Sequence, residues 1–143
     1  MAKPRKGYKK LNNLEYVIVI GFGTPDDTIH RDNIKQFRRK SLEEITTITG
    51  AEELLEPVRI APSASNRQPW YLTGTPDKII LERIKPNKIA GLMYTHFSII
   101  DMGIALQHLK ISAEHQGKTI SFQKEENTTS EKGYEYIITA YIS

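Results

Sequence analysis

The sequence contains no cysteine. Disulfides, thiolate metal sites and cysteine nucleophiles are therefore excluded together. It has one tryptophan and three methionines. No apolar run approaches the ~20 residues that a membrane-spanning helix needs. The longest run, Tyr16 to Ile20, is strand length. The opening Met1-Ala2-Lys3-Pro4-Arg5-Lys6 is basic, yet it lacks the apolar stretch of a signal peptide. These absences lead us to expect a cytoplasmic protein with no membrane segment.

What is present is an ordinary globular composition. Of 143 residues, 38% are hydrophobic and 26% are charged, which suits one folded domain with one core. The formal charge is +3, and the positive residues are clustered. Lys3, Arg5, Lys6, Lys9 and Lys10 form one group, and Arg31, Lys35, Arg38, Arg39 and Lys40 form a second. Each holds a single aromatic residue, Tyr8 or Phe37, fewer than the interleaved rings of a nucleic-acid surface, so no nucleic-acid partner is expected. Residues 1–13 read as a flexible basic arm, and 14–143 as a single domain.

Leu14 to Ile20 is apolar and β-branched apart from Glu15, and Gly21-Phe22-Gly23-Thr24-Pro25 ends it, which predicts a buried strand and a turn. Residues 24–40 read as a long polar loop. Ser41-Leu42-Glu43-Glu44 has the spacing of a capping box. Gly50 to Leu55 reads as helix. Pro57 suits the first turn of a new helix better than the middle of one, so 57–61 is expected as a separate short helix. Trp70 to Leu72 and Lys78 to Arg83 predict a hairpin. Residues 85–97 read as irregular. Ser98-Ile99-Ile100-Asp101 resembles another capping box, with a wide-striped helix running from Ile99 to about Gln116 and stopping at Gly117. Thr119 to Gln123 and Tyr134 to Ile142 predict two further strands. The fold class expected is α+β, an antiparallel or mixed sheet packed on helices.

The stretch most able to carry chemistry is Ala61-Pro62-Ser63-Ala64-Ser65-Asn66-Arg67-Gln68-Pro69-Trp70. Small residues let a backbone approach a flat ligand. A carboxamide such as Asn66 offers both a donor and an acceptor to a heterocycle edge, and Gln68 offers a second. Arg67 can neutralise an anionic ring or a phosphate. The same residues also describe an ordinary surface loop with Pro69 and Trp70 packed beneath it. His108 and His115 lie two helical turns apart, or ~10 Å, too far to chelate one ion, and no metal site is expected. No catalytic acid, base or nucleophile stands out.

The loop resembles the A-P-S-x-x-N-x-Q-P-W signature of the nitroreductase family. Asp101-Met102-Gly103-Ile104-Ala105, with Leu109 and Gly117 beyond, is similar to that family's D-x-G-I-A helix. Tyr16 to Gly23 resembles its late strand, and Arg38-Arg39-Lys40-Ser41-Leu42-Glu43-Glu44 the basic segment that follows it. The strand and basic segment come before the asparagine loop here. That order resembles the C-terminal half of nitroreductases that carry a partly duplicated module in one chain. The resemblance implies a nitroreductase-like fold, incomplete relative to the whole family fold. It implies FMN as cofactor, NAD(P)H as electron donor and a small nitroaromatic or quinone acceptor. It implies Ser63, Ser65, Asn66, Arg67 and Gln68 near the flavin ring, and Arg38, Arg39 or Lys40 near its phosphate. It also implies a second chain, as a homodimer or as the other half of the module. The family's phosphate-gripping arginine-rich segment is not found in this sequence. A rival expectation is therefore a non-catalytic subunit, or a degenerate flavin-binding module that completes another chain's site.

Overall fold

The computed structural model describes residues 23–24, 31–86, 88–126 and 128–143, and only the backbone over 88–93. The basic arm and the strand expected at Leu14 to Ile20 lie outside the described residues. Arg31–Ser143 forms one compact unit.

A short 3-10 turn, Ile34–Gln36, begins it, with the Asn33 side chain accepting from the Lys35 N–H. Helix α1 (Leu42–Ile45) starts where Ser41 predicts, and the Glu44 carboxylate accepts the Ser41 N–H at 2.8 Å. Its exit is tied to the sheet. Thr46 Oγ1 donates to the Leu72 carbonyl at 2.9 Å and accepts the Ile48 N–H at 2.9 Å.

Helix α2 runs unbroken from Glu52 to Ile60 with Pro57 inside it, where the sequence led us to expect two helices. Proline in a helix leaves the carbonyl four residues earlier without a donor. Here that carbonyl, Glu53, has the Ser112 hydroxyl at 3.5 Å. The Pro57 carbonyl in turn meets the Nδ1 of His108 at 2.9 Å. A neighbouring helix thus supplies Glu53 with the donor that the proline removes and adds a second tie at Pro57.

That neighbour, α3, spans Lys88–His115 and begins eleven residues before the expected start at Ile99. Ser98 is not its cap. The Ser98 hydroxyl donates to the Thr95 carbonyl of its own helix at 2.8 Å and accepts from Arg83 of the sheet at 3.0 Å. Gly117, at φ 72°, closes the helix as expected, with Gly117 N–H bonded to the Glu114 carbonyl and Lys118 N–H to that of Ala113.

Strands β1 (Trp70–Thr75), β2 (Lys78–Ile84), β3 (Ile120–Gln123) and β4 (Tyr134–Ile142) make one antiparallel sheet in the order β1-β2-β4-β3. The fold class is α+β, and α3 is the crossover from β2 to β3. One face of the sheet is core. Trp70, Leu72, Ile79, Leu81, Ala140 and Ile142 pack with Leu54, Leu55 and Val58 of α2 and Met102, Ala105 and Leu109 of α3. The alternate residues, among them Tyr71, Thr73, Ile80 and Glu82, stand on the opposite face, as the two-residue period of a strand requires. No helix among the described residues is long and apolar enough to cross a membrane.

Candidate functional site

The loop between α2 and β1 is held in an unusual backbone conformation. Ser65, Asn66 and Gln68 have φ of 52°, 53° and 47°. None is glycine, and a left-handed backbone costs such residues about 1–3 kcal/mol each unless the surroundings impose it. The imposing contacts come from the basic segment at 38–40. Asn66 Nδ2 donates to the Arg38 carbonyl at 2.6 Å, and Arg39 Nη1 donates to Asn66 Oδ1 at 2.6 Å. Lys40 N–H donates to Gln68 Oε1 at 2.8 Å, and Lys40 Nζ to the Gln68 carbonyl at 3.1 Å. Gln68 Nε2 returns to the Asn66 carbonyl at 3.1 Å. Arg39 Nε also bonds the Ile60 and Ala61 carbonyls at 3.2 Å each, satisfying the end of α2. Two stretches some thirty positions apart are therefore stitched side by side.

The expected site residues divide by what they touch. Asn66, Gln68 and Arg39 spend their polar atoms on this stitching, and Gln68 is buried. Ser63 Oγ accepts the Gln68 N–H at 2.9 Å. Ser65 and the Arg38 side chain are exposed. Arg67 is exposed and sits over the Tyr94 ring at 4.1 Å. Arg67 and Lys40 alone among the eight line the adjoining cleft of about 260 Å³.

The rest of that cleft comes from residues outside those eight. Ala64 and Pro69 form its floor side, Ile84, Lys85 and Pro86 one wall, and Tyr94, Phe97, Ser98 and Asp101 of α3 another. Tyr94 and Phe97 fall in the stretch read as irregular, so their common helical face was not visible there. Asp101 binds the loop to α3, its carboxylate accepting the Ala64 N–H at 2.9 Å. Burial raises the Asp101 pKa, and the Ala64 bond opposes the rise. Burial likewise lowers Lys40, with Glu44 opposing. Arg39 is lowered by burial and then by the positive charges of Arg31 and Arg59. Arg59 itself is held high by its bonds to Glu56, and it donates to the Lys40 carbonyl at 3.1 Å. The cleft thus combines three cations, Lys40, Arg67 and Lys85, with one buried carboxylate and two aromatic rings.

A search of curated proteins finds no match. A crystal structure of a putative nitroreductase from Thermotoga maritima is 26% identical, aligns over 82% of this chain and 44% of that chain, and superposes with a TM-score of 0.45. The chain therefore spans less than half the length of that solved protein. The family model described as "Putative TM nitroreductase" matches residues 1–113, most of the sequence, and the chain belongs to that family.

Proposed function

We propose that this chain contributes part of the flavin site of an FMN-dependent oxidoreductase of nitroreductase type. The observation that carries the reading is the stitched loop Ser63–Gln68, left-handed at three positions, beside a cleft with cationic and aromatic walls. The chemistry of these residues fits a flavin. Pro69, Tyr94 and Phe97 offer apolar and ring surface to a flat heterocycle, and the small Ala64 leaves the backbone approachable. Lys40 and Arg67 offer fixed positive charge to an anionic ring or a phosphate. The size fits less well. A cleft of about 260 Å³ lies below the ~300–1,000 Å³ typical of sites that enclose a ligand. A site shared with further protein accounts for both facts.

Bound FMN would supply the electron transfer from NAD(P)H to a nitroaromatic or quinone. This chain's residues would position it. Asn66 and Gln68 hold the loop's shape, and Lys40 and Arg67 stabilise negative charge. Exposed Phe97, Ile99 and Ile111 on α3 favour a second chain or module against that helix. The bonded carboxamides of Asn66 and Gln68 favour the rival reading, a non-catalytic module that completes another chain's site.

FMN fluorescence quenching, followed on the purified chain, tests the flavin assignment. Saturable quenching is expected. It should weaken at least tenfold in Arg67→Glu with an unchanged melting temperature, because Arg67 is exposed and its guanidinium rests on the Tyr94 ring without a hydrogen bond among the described residues. Equal FMN binding by Arg67→Glu, or none by the parent chain even when it self-associates or is joined by its missing half, would sink the assignment. NADPH oxidation in the presence of a nitroaromatic then separates the enzyme from the non-catalytic module.

A further inference from the structure

The face of the sheet turned away from α2 and α3 carries a second groove, of about 320 Å³. Its lining includes Tyr71 and Thr73 of β1, Glu82 of β2, Tyr134 of β4, and Thr128 and Glu131 of the β3–β4 connection. Glu82 is only 8% exposed. The side chain is mostly enclosed, yet its carboxylate oxygens keep some solvent contact and make no hydrogen bond or ion pair with the described residues. A carboxylate taken this far from water is ordinarily paired, because desolvation of an isolated charge is costly. Glu131, on the rim, adds a second carboxylate without a recorded partner.

No lysine or arginine lines the groove. Three nearby cations are engaged elsewhere, while Lys132 adjoins Glu131 in the chain and Lys85 lines the first cleft. Lys78 pairs with Glu125 at 3.1 Å, Arg83 pairs with Glu135, and Lys124 Nζ donates to the Tyr136 and Ile137 carbonyls. In a chain of net charge +3 this groove is a local negative site. Its remaining surface is aromatic. Tyr71 stands directly across from Glu82 in the β1–β2 register, and the Tyr71 and Tyr134 ring centroids lie 4.9 Å apart. Ring surface beside a buried acid is suited to an organic cation, whose charge the carboxylate neutralises while its body rests on the rings.

We propose that this groove binds a small organic cation, an amidinium, guanidinium or primary ammonium carried on a planar or apolar body, with Glu82 as its charge partner. The site is independent of the flavin reading. It uses none of that cleft's residues and faces the other side of the sheet. A free amine and an arginine side chain of a peptide share this chemistry.

The test is isothermal titration of the full chain with benzamidine, N-acetylarginine amide and the neutral analogue benzamide. Both cations should bind saturably and benzamide should not. The tighter of the two cations tells a free ligand from a peptide side chain. Glu82→Gln is near-isosteric, and it should weaken cation binding at least tenfold without lowering the melting temperature, since it removes a buried charge. Glu131→Gln, on an exposed residue that does not threaten the fold, should weaken it a fewfold and keeps the test valid if the Glu82 variant misfolds. Absence of saturable binding overturns the proposal. So does equal binding of benzamide, unchanged affinity in both variants, or displacement of benzamidine by millimolar calcium, which would make the groove a metal site.

Discussion

The carboxylate of Asp101, in the middle of the long helix, accepts the backbone N–H of Ala64, thirty-seven positions earlier. This one bond fixes the distance between α3 and the loop, and so the width of the cleft between Lys40 and Phe97. It also costs something, since burial holds the Asp101 pKa above its ordinary value. A carboxyl that binds its proton more tightly folded than unfolded contributes most below the unfolded value of ~3.9. That contribution is lost as pH rises through the raised folded value. Asp101→Asn keeps an acceptor for Ala64 and removes the charge. Its urea midpoint should therefore lack this downward slope on the acid side of neutrality and should equal or exceed the parent's at pH 7. Asp101→Ala leaves the Ala64 N–H unpaired and should lose about 1–3 kcal/mol. If Asn and Ala behave alike across the pH series, the bond does not hold the loop.

Asn66 should control how often the basic segment opens. Its side chain makes two bonds of 2.6 Å to the Arg38 carbonyl and the Arg39 guanidinium. Each contributes ~0.5–1.5 kcal/mol net. Removing both should raise the open population, and with it tryptic cleavage after Arg38, Arg39 or Lys40, roughly fivefold to a hundredfold. Asn66→Gly should cleave as fast as Asn66→Ala yet melt higher, because glycine relieves the strain at φ 53°. Parent-like cleavage in both variants would mean that Lys40 and Gln68 hold the segment without Asn66.

Gly74 is required by shape. At φ 105° it has a backbone that side chains rarely adopt, and a Cβ there would stand 2.2 Å from the Lys78 carbonyl oxygen. The opposing atom is backbone of the next strand and cannot swing away. Gly74→Ala should cost at least ~2 kcal/mol, from strain and clash together. A chemical melt within about 0.5 kcal/mol of the parent would mean that the hairpin re-registers around its Pro76-Asp77 turn.

Much of the frame could be read from the residues because its signals are local. The hairpin follows from apolar runs flanking Thr73-Gly74-Thr75-Pro76-Asp77, the α1 start from Ser41 and Glu44, and the α3 stop from Gly117. The misreadings share a cause, which is that tertiary partners replaced local ones. Pro57 looked like a helix start because Ser112 and His108 cannot be seen from α2. Ser98 and Asp101 have capping-box spacing, yet Arg83 and Ala64 claim their side chains. At the site, the chemistry of Ser63–Gln68 is legible from small residues and amides. Its stitching to Arg38–Lys40 depends on side-chain bonds across some thirty positions, which no spacing rule reports. Glu82 passed unnoticed because an acid alternating with Leu81 and Arg83 reads as a solvent-facing strand position.

Trp70 links the loop to the core, since it ends the one and begins the other. It is fully buried, 0% exposed, in the cluster that contains Leu72, Met102 and Leu109. A tryptophan buries about 150–250 Å², worth ~4–6 kcal/mol at 25 cal/mol per Å². Trp70→Ala should accordingly cost ~3–5 kcal/mol, with some of the cavity relaxed. The indole carries an opposing term. Its Nε1–H is buried and has no hydrogen-bond partner among the described residues. An unpaired buried donor costs ~1–3 kcal/mol. Trp70→Phe removes that donor while keeping most of the apolar volume, so part of the lost packing should be returned. The expected order of stability is Trp and Phe within about 1.5 kcal/mol of each other, and Ala well below both. Urea unfolding followed by far-ultraviolet circular dichroism resolves the three. If Phe falls close to Ala, the indole N–H is not a liability in this core, and ring volume alone accounts for what Trp70 does.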